Sequence, residues 1–121
     1  MLLFVYGTLK TNECANDHLV EMGAEFVETA ITEPRYKLHA YTWFPMMTAI
    51  PAGQPGVEVH GELWDVPETA IPSLDLYEGS GYKRTEITLR KPRQNEPVIA
   101  YLFQGNTGRL SECGNCWRGG S

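Results

Sequence analysis

The sequence predicts a single α+β domain, residues 1–121: a small mixed β-barrel of about six strands with two short helices. Three observations lead there. A chain of 121 residues suits one domain and leaves no room for a second. Apolar or alternating runs of strand length recur from Leu2 to Gln104, each ended by glycine, proline or polar turn residues. Only residues 17–22 and 68–78 carry helix signals. A mixed sheet of that size closing on itself packs its inward side chains and can hold one ligand at its mouth.

Each element follows in order. Leu2, Leu3, Phe4, Val5 and Tyr6 form a continuous apolar run that stops at Gly7, as in a buried strand. The run has no basic flank and is shorter than the roughly 7–15 apolar residues of a secretory signal. Residues 7–16 are polar and turn-rich. Residues 17–22 read as a short helix with Asn16 or Asp17 as its cap and Gly23 at its end. Residues 24–32 read as a strand. Over 35–42, Tyr36, Leu38 and Ala40 alternate with Lys37, His39 and Tyr41, which predicts a half-buried strand.

Residues 43–55 contain Pro45, Pro51 and Pro55 and read as a loop, with Trp43, Phe44, Met46 and Met47 packed over the core. Val57, Val59, Gly61 and Leu63 alternate with polar partners in a further strand ending at Val66. Pro67 suits the first turn of a helix, where its missing N–H costs nothing. Pro72 then divides 68–78 into two brief turns. Residues 82–89 and 98–104 are strands joined by the turn at 92–97.

Composition excludes several functions. A net charge of −5 opposes binding to a phosphate backbone, and the densest basic run, Arg90-Lys91-Pro92-Arg93, has the look of a solvated turn. No stretch approaches the roughly 20 apolar residues of a membrane span, so neither nucleic acid nor membrane is an expected partner, and the expected location is cytoplasmic. Cys14, Cys113 and Cys116 make an odd count, against a disulfide framework. Cys113-Gly114-Asn115-Cys116 lacks the second pair of ligands a zinc site needs. His18, His39 and His60 stand in different elements, exposed or satisfied, without ligand spacing. The expectation is no metal and no cofactor. Neither phosphate-loop glycine pattern nor a G-x-S-x-G nucleophile elbow occurs.

Two short motifs could carry chemistry. In Tyr6-Gly7-Thr8-Leu9 a glycine ends the first strand, lets the backbone approach a ligand closely and can turn successive N–H groups into an anion-binding nest. In Leu74-Asp75-Leu76-Tyr77-Glu78-Gly79 a helix places Asp75 and Glu78 three residues apart on one face. Glu78 then stands at the negative end of the helix beside a second carboxylate, and both effects should raise its pKa toward that of a general acid or base. Taken singly, the first is also what a strand-ending turn looks like, and the second what two solvated carboxylates look like. A glycosidase pair is disfavoured, because one short helix cannot easily set two carboxylates about 5–9 Å apart across a sugar bond.

Together these motifs resemble the gamma-glutamylcyclotransferase-like family, specifically its small gamma-glutamylamine cyclotransferase-like branch. Phe4-Val5-Tyr6-Gly7-Thr8-Leu9-Lys10 is similar to the family's opening strand and substrate loop. Tyr36-Lys37-Leu38 and Phe44-Pro45 are similar to its next landmarks, and 59–66 to its V-x-G-E strand. Residues 74–79 followed by Tyr82-Lys83-Arg84 resemble its L-D-x-x-E-G and Y-x-R signature, and 100–103 its late aromatic strand. The tail departs: Gly114-Asn115-Cys116-Trp117 has an inserted residue and lacks the acid that often stands between Gly and Trp.

The resemblance implies a cofactor-free intramolecular aminolysis of a small gamma-glutamyl substrate. The free α-amine attacks the side-chain carbonyl, 5-oxoproline forms, and an amine or amino acid leaves. Glu78 would be the catalytic acid/base; Tyr6, Gly7, Thr8 and Leu9 would hold substrate, with Tyr82 and Tyr101 lining the pocket. The alternative is a ligand-binding or scaffold protein of the same fold without turnover. The attacking amine has a reference pKa of about 7.7–8.0 against about 4.3 for Glu, so proton transfer is uphill by roughly 5 kcal/mol unless Glu78 is raised.

Overall fold

The computed structural model describes residues 1–13, 15–41, 44–105, 111–112 and 114. The elements are β1 (Leu2–Val5), α1 (Asn16–Glu21), β2 (Glu25–Ile31), β3 (Tyr36–Tyr41), β4 (Phe44–Ala49), β5 (His60–Asp65), a 3₁₀ turn (Glu68–Ala70), α2 (Ile71–Glu78), β6 (Tyr82–Ile87), β7 (Val98–Phe103) and β8 (Ser111–Glu112). Five strands form one mixed sheet in the order β2-β5-β1-β7-β6, and three form a second in the order β4-β3-β8. The β1–β7 pair is parallel; the other pairs are antiparallel. A bridge between Thr32 and Leu89 joins the extensions of the two edge strands, β2 and β6, so the larger sheet curls toward closure.

The continuous apolar run of β1 follows from its place at the centre of that sheet. Phe4 packs inside the barrel with Leu38, Met47 and Leu63. Leu3 and Val5 point to the opposite face, against Leu19 of α1 and Ile71 and Leu74 of α2. A strand buried on both faces has no polar positions to alternate. β5, beside it, is likewise covered on both faces: Leu63 is buried in the barrel, and Trp64 under the helices.

Three local expectations are corrected. Residues 44–49, expected within a loop, are strand β4; Pro45 is tolerated because β4 is the edge of its sheet, where a missing N–H need not break a ladder. Met46 and Met47 are buried as expected, while Trp43 and the side chain of Phe44 lie outside the described residues. The cap position of α1 is Ala15, with no side-chain cap; the Asn16 amide instead donates to the Leu9 carbonyl at 2.8 Å. Residues 68–78 do fall into two parts, as expected: Pro67 precedes the 3₁₀ turn, and Pro72 sits in the first turn of α2. β4 and the short β8 bring the strands among the described residues to eight, against about six expected.

His18 and His60 are exposed. His39 is buried, its ordinary pKa pushed down by that burial, and its Nδ1 has no partner among the described residues. No helix among the described residues is long and apolar enough to cross a membrane.

Candidate active site

Glu78 is the last residue of α2. The helix stops there because Gly79 adopts φ 82°, ψ −177°, a region essentially reserved for glycine, with its N–H still bonded to the Asp75 carbonyl at 3.1 Å. Buried Ile71 and Leu74 fasten the helix to the sheet. The chain can then double back into β6 within four residues, which brings Tyr82 beside Glu78.

Glu78 faces a cleft of about 440 Å³, open mouth included. It is lined by Tyr6, Gly7, Thr8 and Leu9 at the end of β1 and by Glu78, Tyr82 and Tyr101 from α2, β6 and β7. All seven residues singled out from the sequence therefore meet in one place. Phe4, Val5 and Pro45 complete the lining. Pro45 was not anticipated as a wall, although the Phe44-Pro45 landmark was its signal.

Burial pushes the Glu78 carboxyl up from its ordinary 4.5 to about 7. The cause is burial, and not the neighbouring Asp75 charge expected from the sequence. The Asp75 carboxylate is drawn away from Glu78: Oδ1 accepts from the Tyr101 hydroxyl at 2.7 Å, and Oδ2 pairs with Arg84 at 3.2 Å. Asp75→Asn keeps an acceptor for Tyr101 and loses only a half-exposed ion pair. It is expected to cost less than about 1 kcal/mol in a thermal melt and to leave kcat within a few-fold.

The three tyrosines remain protonated at neutral pH. Burial raises Tyr82 to about 12, with a smaller push from Glu78, and raises Tyr6 and Tyr101 as well. The Tyr6 hydroxyl is committed to the Tyr101 carbonyl at 2.5 Å, and that of Tyr101 to Asp75. Among the described residues the Tyr82 hydroxyl makes only a long contact, 3.4 Å to the Pro45 carbonyl, which leaves it able to turn to a ligand.

The turn after β1 is suited to donation. The Gly7 carbonyl accepts from Lys10 N–H at 3.0 Å, the Thr8 carbonyl from Ala15 N–H at 2.9 Å, and the Leu9 carbonyl from Asn16. The N–H groups of Gly7, Thr8 and Leu9 make no hydrogen bond to any described residue. With each carbonyl already engaged and no described residue taking the three N–H groups, the turn can bind a carboxylate or an oxyanion.

Residues 3–119 match the family described as gamma-glutamyl cyclotransferase, AIG2-like. The chain belongs to that family. It is accordingly an enzyme of the cyclotransferase type. It is 33% identical over 113 residues to gamma-glutamylaminecyclotransferase A of Danio rerio, covering 87% of this chain and 69% of that one. A crystal structure of a uropathogenic E. coli-specific protein superposes with TM-score 0.84 at 26% identity, over 97% of this chain and 91% of the other. An AIG2-like protein from Mus musculus shares the fold, with TM-score 0.80 at 22% identity, over 97% of this chain and 87% of the other. Membership gives the motif residues their family setting. Among the described residues of this cyclotransferase, no three His, Cys, Asp or Glu side chains converge as a metal site would require. Cys14, Cys113 and Cys116 lie outside the described residues.

Proposed function

We propose that this cyclotransferase releases 5-oxoproline from a gamma-glutamyl amine or gamma-glutamyl amino acid, with Glu78 as the general acid/base. The observation that carries the reading is one cleft lined both by Glu78, whose carboxyl burial raises to about 7, and by the turn Gly7-Thr8-Leu9, whose N–H groups make no hydrogen bond to any described residue. The zebrafish relative is named for gamma-glutamyl amines, which supports that half of the substrate class.

The reaction needs little beyond folding the substrate and moving protons, because nucleophile and electrophile belong to one molecule. The α-amine arrives as an ammonium ion. Glu78 takes one proton and frees the lone pair. The nitrogen attacks the side-chain carbonyl, a C–N bond forms, and negative charge grows on the carbonyl oxygen. N–H groups at Gly7, Thr8 and Leu9 would hold that oxygen or the substrate's α-carboxylate. The old C–N bond then breaks. Two protons pass in all from the attacking nitrogen to the leaving one, and Glu78 is the group that ferries them.

The raised pKa makes that ferry work. With Glu78 near 7 the gap to the ammonium shrinks from about 3.5 units to about 1, and the uphill step from roughly 5 to roughly 1 kcal/mol. Tyr82 and Tyr101 wall the cleft, and the Tyr82 hydroxyl can donate to substrate.

The test is an assay of 5-oxoproline release over a panel of gamma-glutamyl amines and gamma-glutamyl amino acids. The expected result is turnover of at least one member that persists in excess chelator. Release from none would remove the proposed reaction. Activity lost to chelator and restored by zinc would give Cys113 and Cys116 a role in it.

A further inference from the structure

We infer that Glu62 is a positioning residue for the loop that carries Gly7, Thr8 and Leu9. Glu62 is not among the residues lining the cleft. Its backbone is the rung of β5 opposite Val5, the last residue of β1 before the loop departs. Its side chain holds the far end of the same loop. Oε1 accepts from the Thr11 N–H at 2.8 Å and from the Thr11 hydroxyl at 3.1 Å. It also accepts from the indole N–H of Trp64 at 3.2 Å, and Trp64 is itself buried between sheet and helices.

One residue therefore fastens both ends of a short arc. Val5 enters it on the backbone of Glu62, and Thr11 leaves it on the carboxylate. Between them, Lys10 N–H closes the turn onto the Gly7 carbonyl. A charged acceptor taking three donors holds more firmly than neutral bonds would, and Trp64 gives it a fixed post. A loop held this way keeps the N–H groups of Gly7, Thr8 and Leu9, which no described residue takes, in a fixed arrangement before substrate arrives. Without the clamp, each binding event has to order the loop at the expense of affinity.

The inference rests on the proposed role of this loop in holding substrate, so its test carries a control for that role. Glu62→Ala is expected to raise KM about ten-fold or more, the worth of a charge-assisted bond, with kcat falling less. The pH limb belonging to Glu78 should stay where it is. Glu62→Gln keeps an acceptor oxygen and should restore most of the affinity. Thr11→Ala, on an exposed loop, should raise KM a few-fold in the parent and by nothing further in the Glu62→Ala background, because both act through one contact. Asn16→Ala cuts an independent tether, that to the Leu9 carbonyl, and should also raise KM.

A parent-like KM in Glu62→Ala beside a raised KM in Asn16→Ala would overturn the role of Glu62 alone. Unchanged KM in both would overturn the substrate loop as well. Additive effects of Glu62→Ala and Thr11→Ala would also overturn it. Should Glu62→Ala fail to fold, the Thr11→Ala measurement decides: a parent-like KM there overturns the clamp.

Discussion

Glu78→Gln is expected to lower kcat by roughly 10²–10⁴, the usual worth of a positioned acid or base, with little change in the binding of an unreactive substrate analogue. The amide fills the same space but cannot take the proton, while the loop at Gly7, proposed to hold substrate, is untouched. The same substitution has a signature in stability. Folding raises the Glu78 carboxyl from about 4.5 to about 7, so the folded state binds more protons than the unfolded state between those values. Stability contributed by the protonated group is fully present below about pH 4.5 and is lost as pH rises through 7. Glutamine is never ionised and escapes that loss. The variant should melt above the parent at pH 8, by roughly 1–2 kcal/mol once partial exposure is allowed for, and with it at pH 4. Steady-state kinetics and paired melts check the two halves. Parent-like turnover by a folded variant would remove Glu78 from the mechanism.

The second large effect lies under the loop. Gly61 stands on β5 where β1 turns into the cleft. A Cβ there would meet the Val5 carbonyl oxygen at 2.4 Å and the Phe4 ring at 2.6 Å. Neither neighbour can easily retreat. Val5 is paired with Glu62 in the ladder, and Phe4 is buried in the barrel core. Gly61→Ala is therefore expected to cost on the order of 3 kcal/mol and to lower the melting temperature by about 10 °C. Because Val5 leads into Tyr6 and Gly7, whatever shift relieves the clash is passed into the loop proposed to hold substrate, and KM should rise as well. A melting temperature within about 2 °C of the parent would show that β1 and β5 do not approach so closely.

Both predictions depend on features that differ in how far the sequence announces them. β1 was legible because a strand buried on both faces leaves an unbroken apolar run. α2 was legible in outline, since Pro72 and Gly79 mark its limits. β4 was hidden by its prolines, which speak against a strand unless it is known to be an edge, and edge position is a tertiary fact. The cap of α1 escapes the sequence for a related reason: Asn16 is a good capping residue, but a carbonyl from the preceding loop competes for its side chain. Each half of the active site was visible as a motif, and their order along the chain matched the family. Their meeting across a cleft was not visible, because it needs β1, β6 and β7 in one sheet with α2 laid over its face. The direction of the Glu78 shift could be anticipated from a carboxylate at a helix end. Its cause could not, since Arg84 and Tyr101, which take Asp75 away, reach it only through the fold.

The account turns on whether Glu78 is poised as a base near neutrality. The direct measurement is a carbon-13 NMR titration of the Glu78 side-chain carboxyl in the free enzyme, assigned by comparison with Glu78→Gln and set beside the acid limb of kcat/KM. The account predicts a midpoint near 7 in both. A Glu78 midpoint of about 4.3, that of an ordinary glutamate, would contradict it.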